Sequence, residues 1–157
     1  MEFQTWLAFF SACVFIAISP GSGAVLSMSH GLAYGVRQTS ATIGGLQLGL
    51  LLILLVAGGG VGAVLIASDV AFTAVKVLGA CYLIYLGWSQ WRSVGNGVDV
   101  GYLQASPMPW RQRTLAGFLT NATNPKGIIF MVAVLPQFLT AQRPLWQQLL
   151  VMSITCL

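Results

Sequence analysis

Charge is what this sequence has least of. Asp, Glu, Lys and Arg make up 6% of its 157 residues, against about 25% in soluble domains. With 57% of residues hydrophobic, no water-facing surface can be built, and the chain reads as an all-α, polytopic transmembrane helical bundle. The three acidic residues, Glu2, Asp69 and Asp99, all fall in predicted loops or at the terminus. An intramembrane enzyme needs a carboxylate, an activated nucleophile or metal ligands at membrane depth. No Ser-His-Asp set, HExxH motif or paired carboxylate is there, so the reading is of no enzyme, with no metal and no cofactor. The seven basic residues form no run, whereas nucleic-acid binding needs a basic patch or stripe, and that partner is excluded. Cysteine is sparse too. Cys13, Cys81 and Cys156 are far apart, with no CxxC and no nearby His, which excludes a disulfide framework or a zinc site and leaves buried free thiols. The first residues, Met1, Glu2, Phe3 and Gln4, lack the positive charge of a signal peptide, so the apolar run 6–18 is expected to stay as half of a membrane helix.

What is there is a series of hydrophobic segments. The first covers residues 4–28 and is broken at 19–23. A polar turn over 29–40, holding His30 and Arg37, leads to a second segment, 41–67, longer than the hydrocarbon core at about 1.5 Å per residue. Asp69 marks a short turn before a third segment, 72–91. The only long polar connection, 92–114, carries Gly95-Asn96-Gly97, Pro107 and Pro109. The fourth segment, 115–139, is broken at 120–127, and Gln142-Arg143-Pro144 forms a tight loop after it. A fifth segment begins near Trp146 and reaches Leu157 short of the roughly twenty apolar residues of a span, so the sequence is expected to end inside a membrane helix. Arg37, Arg92, Arg111 and Arg113 fall on one side and Arg143 on the other. The positive-inside rule therefore puts the N-terminus outside, and the five tryptophans near segment ends fit an aromatic belt.

The two breaks carry the functional signal. Pro125 removes a backbone donor and disfavours helix at Asn124, which frees carbonyls one turn back. Lys126 places a charge where hydrocarbon is expected, at a cost of a few kcal/mol. Asn121, Thr123 and Asn124 add more polar groups than a plain kink explains. Ser19-Pro20-Gly21-Ser22-Gly23 interrupts the first segment in the same way. Irregular polar backbone at membrane depth is tolerated only where it is packed in protein or lines a cavity. One break runs inward and the other outward, with two unbroken spans between them. This is the layout of a three-plus-three inverted repeat with a transport site where the breaks meet. The whole chain, 1–157, is read as one domain, with a first repeat over about 1–92 and an incomplete second over about 110–157. The candidate substrate-binding residues are Ser19, Pro20, Gly21, Gly23, Gln47, Asn121, Asn124, Pro125 and Lys126.

Other patterns are structural. Gly58-x-Gly60-x-x-Ala63 matches a dinucleotide fingerprint in letters only, since it lies inside a span. Gly45-x-x-x-Gly49 and Gly58-x-x-x-Gly62 are expected to let neighbouring helices approach closely. His30 has no partner of its own kind and reads as interfacial.

Ile18-Ser19-Pro20-Gly21-Ser22-Gly23, Gly31 to Gly35 with Arg37, and Gly45-Leu46-Gln47-Leu48-Gly49 follow one another along the chain. After them come the run from Lys76 to Gly87, Asn121-Ala122-Thr123-Asn124-Pro125-Lys126, and Leu135-Pro136-Gln137-Phe138. In this order the motifs resemble the lysine exporter / homoserine–threonine efflux (LysE/RhtB) family, closest to its homoserine/threonine branch. The resemblance implies export of a small amino acid or derivative across the bacterial inner membrane, coupled to the proton gradient, with the two proline breaks forming the site. Members of that family continue past this point with an acidic residue in the fifth helix and a sixth helix. The expected partners are the amino-acid substrate and the lipid bilayer, and a homo-oligomer is compatible with the sequence. The alternative is a non-transporting membrane interaction protein or an inactive transporter fragment, and flux from reconstituted protein separates the two.

Overall fold

A computed structural model describes residues 2–18, 21–92 and 108–157. Among these, seven helices and no strands are found: α1 Phe3–Ile18, α2 Ser22–Tyr34, α3 Val36–Ala67, α4 Asp69–Arg92, α5 Trp110–Ala122, α6 Pro125–Phe138 and α7 Leu145–Cys156. Helix α3, 32 residues long, spans about 48 Å at 1.5 Å per residue, well beyond a hydrocarbon core of about 30 Å. It is long and apolar enough to cross a membrane alone. The pairs α1–α2 and α5–α6 qualify as bent spans, with their halves inclined at 56° and 54°.

Helix α3 is the axis of the bundle and packs against α2, α4, α5, α6 and α7. Its closest partner is α5, and glycine decides how close. A Cβ on Gly45 would run into the Thr114 carbonyl oxygen, and one on Gly117 into the Thr42 carbonyl oxygen. One on Gly49 would sit 2.6 Å from the Phe118 carbonyl oxygen. Backbone therefore lies on backbone, as the glycine spacing predicts. Gly58 and Gly62 act differently further along, where the side chains of Leu149 and Leu145 of α7, and not backbone, fill the space beside them. A core of Phe9, Leu54, Met131, Val134, Leu135 and Met152 ties α1, α3, α6 and α7 together, with the Phe9 ring edge-on to Phe138 at 5.4 Å. The outside is as apolar as the inside. Phe15 and Leu32 are each 80% exposed and Ile66 is 85% exposed, a surface suited to lipid and not to water.

Several sequence expectations need correcting. The polar turn over 29–40 is helical except at Gly35, whose φ of +80° is open to glycine and strained for other residues. The polar side chains are absorbed within the helices. Ser29 Oγ donates to the Val25 carbonyl at 2.8 Å, and Thr39 Oγ1 to the Gly35 carbonyl at 2.9 Å. His30, without a partner of its own kind, is buried against protein. Its Nδ1 lies 2.6 Å from Thr42 Oγ1 and its ring meets Tyr34 edge-on. Arg113, read as a loop residue, is in α5 and buried, with Nη1 donating to Gln38 Oε1 at 2.7 Å and the guanidinium 5.0 Å from the Tyr34 ring centre. The turn before α4 is made by Ser68, whose Oγ accepts from the Ala71 amide at 3.2 Å, so that Asp69 belongs to the first helical turn. Cys81 is exposed on the outer face of α4 beside Val77 and Leu78, and Cys13 and Cys156 are half-buried and touch.

Helices α6 and α7 are joined by a short loop closed by one side chain. Gln148, 2% exposed, donates from Nε2 to the Thr140 and Arg143 carbonyls, each at 2.9 Å, and its Oε1 accepts from the Thr140 amide at 3.0 Å.

Candidate functional site

The second break is built by its proline. Helix α5 closes with the Thr123 amide donating to the Leu119 carbonyl and the Asn124 amide to the Asn121 carbonyl, both at 3.0 Å. Pro125 then takes the first position of α6, where a missing N–H costs nothing. Asn124, in extended conformation, caps the new helix. Its side-chain oxygen accepts from the Lys126 amide at 3.1 Å. The first break ends in the same kind of structure. Gly21, also extended, is the residue before α2, and its carbonyl accepts the Val25 amide at 3.1 Å.

These two helix starts border one cavity of about 490 Å³, within the roughly 300–1,000 Å³ usual for small-molecule sites. Gly21, Gly23 and Ala24 come from the start of α2, and Asn124, Lys126 and Gly127 from the start of α6. The first turn of any helix has amides with no intrahelical acceptor and the positive end of the helix dipole. Two such ends and one ammonium side chain therefore border the same space. Lys126 is the single charged side chain among the described residues lining it. The facing wall is α3, with Ile43, Leu46, Gln47 and Leu50, and Phe130 and Met131 of α6 make the floor apolar. Asn121 donates from Nδ2 to the Leu46 carbonyl at 2.7 Å. The arrangement provides a positive corner for a carboxylate, amide oxygens for an ammonium group and an apolar wall for a side chain. Among the described residues no group of three His, Cys, Asp or Glu could hold a metal ion.

Of the residues singled out from sequence, Gly21, Gly23, Gln47, Asn121, Asn124 and Lys126 all border this cavity. Pro125 does not. It is exposed and serves to start α6. Ser19 and Pro20 lie outside the described residues. Sequence reasoning missed Ser27, Cys13 and Cys156, which also line the cavity. Ser27 was within reach, because it stands four residues after Gly23 and shares its helix face. The cysteines were not, since their meeting depends on how α1 and α7 cross.

Residues 14–157 match the LysE type translocator family. The chain is 40% identical over 159 aligned positions to an uncharacterized membrane protein of Vibrio cholerae, covering 99% of this chain and 75% of that protein. It is 38% identical over 155 positions to a homoserine/homoserine lactone efflux protein of Salmonella typhi, covering 99% and 74%. A leucine efflux protein of Klebsiella pneumoniae is 30% identical over 134 positions, covering 85% and 63%. No solved structure matches.

Proposed function

Since the chain belongs to the LysE type translocator family, we propose that this amino-acid efflux transporter carries homoserine- or threonine-like amino acids out of the bacterial cytoplasm, with the cavity between the two breaks as its transport site. It is a multi-pass helical membrane protein. The observation that carries the reading is the convergence of two half-helix starts and Lys126 on one cavity. Half-helix N-termini facing a midplane cavity are how secondary transporters hold anionic substrate groups.

In this reading the substrate carboxylate sits among the first-turn amides of α2, at the positive end of the α6 dipole and beside Lys126. A charge-assisted contact of this kind contributes about 1.5–3 kcal/mol. Asn121, Asn124 and Gln47 supply amide oxygens to the substrate ammonium. Ile43 and Phe130 bound the space left for a short side chain. Ser19 and Pro20 belong to the same proposal through their place beside Gly21 in sequence. The names of the homoserine/homoserine lactone and leucine efflux relatives support a small amino acid as the substrate.

The inverted repeat, with units near 1–92 and 110–157, is part of the proposal. It is supported by the matching bends of 56° and 54° in the two broken spans. Rocking one unit against the other would turn the cavity from the inner to the outer face. Proton antiport is proposed as the driving reaction, because uphill export needs a coupled downhill flux and the bacterial inner membrane maintains a proton gradient.

The test is efflux from proteoliposomes loaded with radiolabelled homoserine, threonine or leucine, with and without an imposed pH gradient. Label should leave faster than from protein-free vesicles, homoserine or threonine fastest, and the gradient should accelerate it. Rates equal to protein-free vesicles for all three amino acids would sink the reading and favour a non-transporting membrane interaction protein. Transport indifferent to the gradient would remove the antiport.

A further inference from the structure

One feature of the cavity wall lies outside the amino-acid contacts proposed above. The sulfurs of Cys13 on α1 and Cys156 on α7 lie 3.4 Å apart, and both residues border the cavity. Their meeting is held by a second contact between the same two helices, in which Trp6 Nε1 donates to Thr155 Oγ1 at 3.0 Å. The third cysteine, Cys81, is exposed on α4.

We propose that Cys13 and Cys156 form a redox-active dithiol, a modification site in the cavity wall that hydrogen peroxide or a related hydroperoxide converts to an intramolecular disulfide joining α1 to α7. A sulfur–sulfur bond is about 2.05 Å long. The gap to close is small, and side-chain rotation about χ1 moves a sulfur without moving its helix. The cavity supplies the route by which a small oxidant reaches both sulfurs, although their flanks are packed.

The chemistry balances in two steps. One cysteine, as thiolate, attacks a peroxide oxygen. An S–O bond forms, the O–O bond breaks and hydroxide leaves, giving a sulfenic acid. The second sulfur then attacks the sulfenic sulfur. The S–S bond forms, the S–O bond breaks and the hydroxyl departs as water with the proton of the second thiol. In sum, two thiols and one hydrogen peroxide give one disulfide and two waters. Reduction by a small dithiol reverses it. The disulfide would tie the first broken span to α7 across the wall that both helices share. The proposal does not depend on what the cavity carries.

The test is a thiol count on the purified chain in detergent, with denaturation before titration. Untreated protein should show three reactive thiols, since Cys13, Cys81 and Cys156 are all free. After hydrogen peroxide the count should fall to one, and dithiothreitol should restore it. Cys81→Ser should fall from two to none on oxidation. Cys13→Ser should keep both of its thiols under the same treatment. Peptide mass spectrometry should find the two cysteines joined within a monomer. A count that stays at three, a loss that dithiothreitol does not restore, or a crosslink between two chains would each overturn the assignment.

Discussion

The side-chain amide of Asn121 donates to the backbone carbonyl of Leu46 at 2.7 Å, which ties the end of α5 to the middle of α3 at the edge of the cavity. The same residue offers its own carbonyl to the Asn124 amide at 3.0 Å, so the shape of the second break and its attachment to α3 depend on one position. Asn121→Ala should lower stability by about 1 kcal/mol, the usual net worth of such a bond. Asn121→Asp should cost more, because a carboxylate would face the Leu46 carbonyl with no proton to give. Thermal unfolding in detergent, run side by side on the two variants, checks the order.

Lys126→Met keeps an unbranched side chain only one heavy atom shorter and removes its charge. If the ammonium holds a carboxylate, the loss of about 1.5–3 kcal/mol weakens substrate binding by roughly ten- to a hundredfold. Insertion and expression should be unchanged, because an apolar side chain is no burden in hydrocarbon. Efflux from proteoliposomes carrying equal amounts of protein is the measurement. Full activity in a well-inserted variant would take Lys126 out of the site.

Adjacent glycines on α3 give an internal control. A methyl group at Gly45 has backbone of α5 in its way, whereas at Gly44 nothing lies within 4 Å. Gly45→Ala should separate the two helices and destabilise by a few kcal/mol, as overpacking does. Gly44→Ala should be neutral or stabilise by up to about 1 kcal/mol through helix propensity. Size-exclusion profiles and unfolding temperatures in one detergent should place Gly45→Ala below the parent and Gly44→Ala level with it or above.

Orientation is testable at two exposed positions, Arg111 at the start of α5 and Gln142 between α6 and α7. With the three native cysteines replaced by serine, Gln142→Cys should react with a membrane-impermeant thiol reagent in intact cells. Arg111→Cys should react only after permeabilisation. The reverse pattern would invert the topology drawn from the arginines.

The parts of this structure that were legible in sequence are those with a local cause. Pro125, with Asn124 before it as a cap, ends one helix and starts another by local chemistry, and Gly45 and Gly49 announce a close helix neighbour without naming it. That neighbour, α5, is set by three-dimensional packing, and so is the contact between Cys13 and Cys156, 143 residues apart. The polar stretch after Met28 was misread for another reason. Ser, Thr and His look like turn residues when counted, yet here Ser29 and Thr39 satisfy their hydroxyls on their own helices, and His30 finds Thr42 on the next helix. Of the site, the polar corner was readable because charge and amides are rare in a membrane span. The apolar wall was not, because Ile43 and Phe130 resemble every other lipid-compatible residue until a cavity singles them out.

The three hydrogen bonds of Gln148 reach beyond the loop they close. A pair of helices entering a bilayer together must bring its connecting segment through or leave it at the surface with its amides and carbonyls wet. Here the Thr140 amide and the Thr140 and Arg143 carbonyls are already engaged by a side chain from the second helix of the pair. Helices α6 and α7 are thereby equipped to insert as one hairpin, because the connection presents fewer bare polar groups to hydrocarbon.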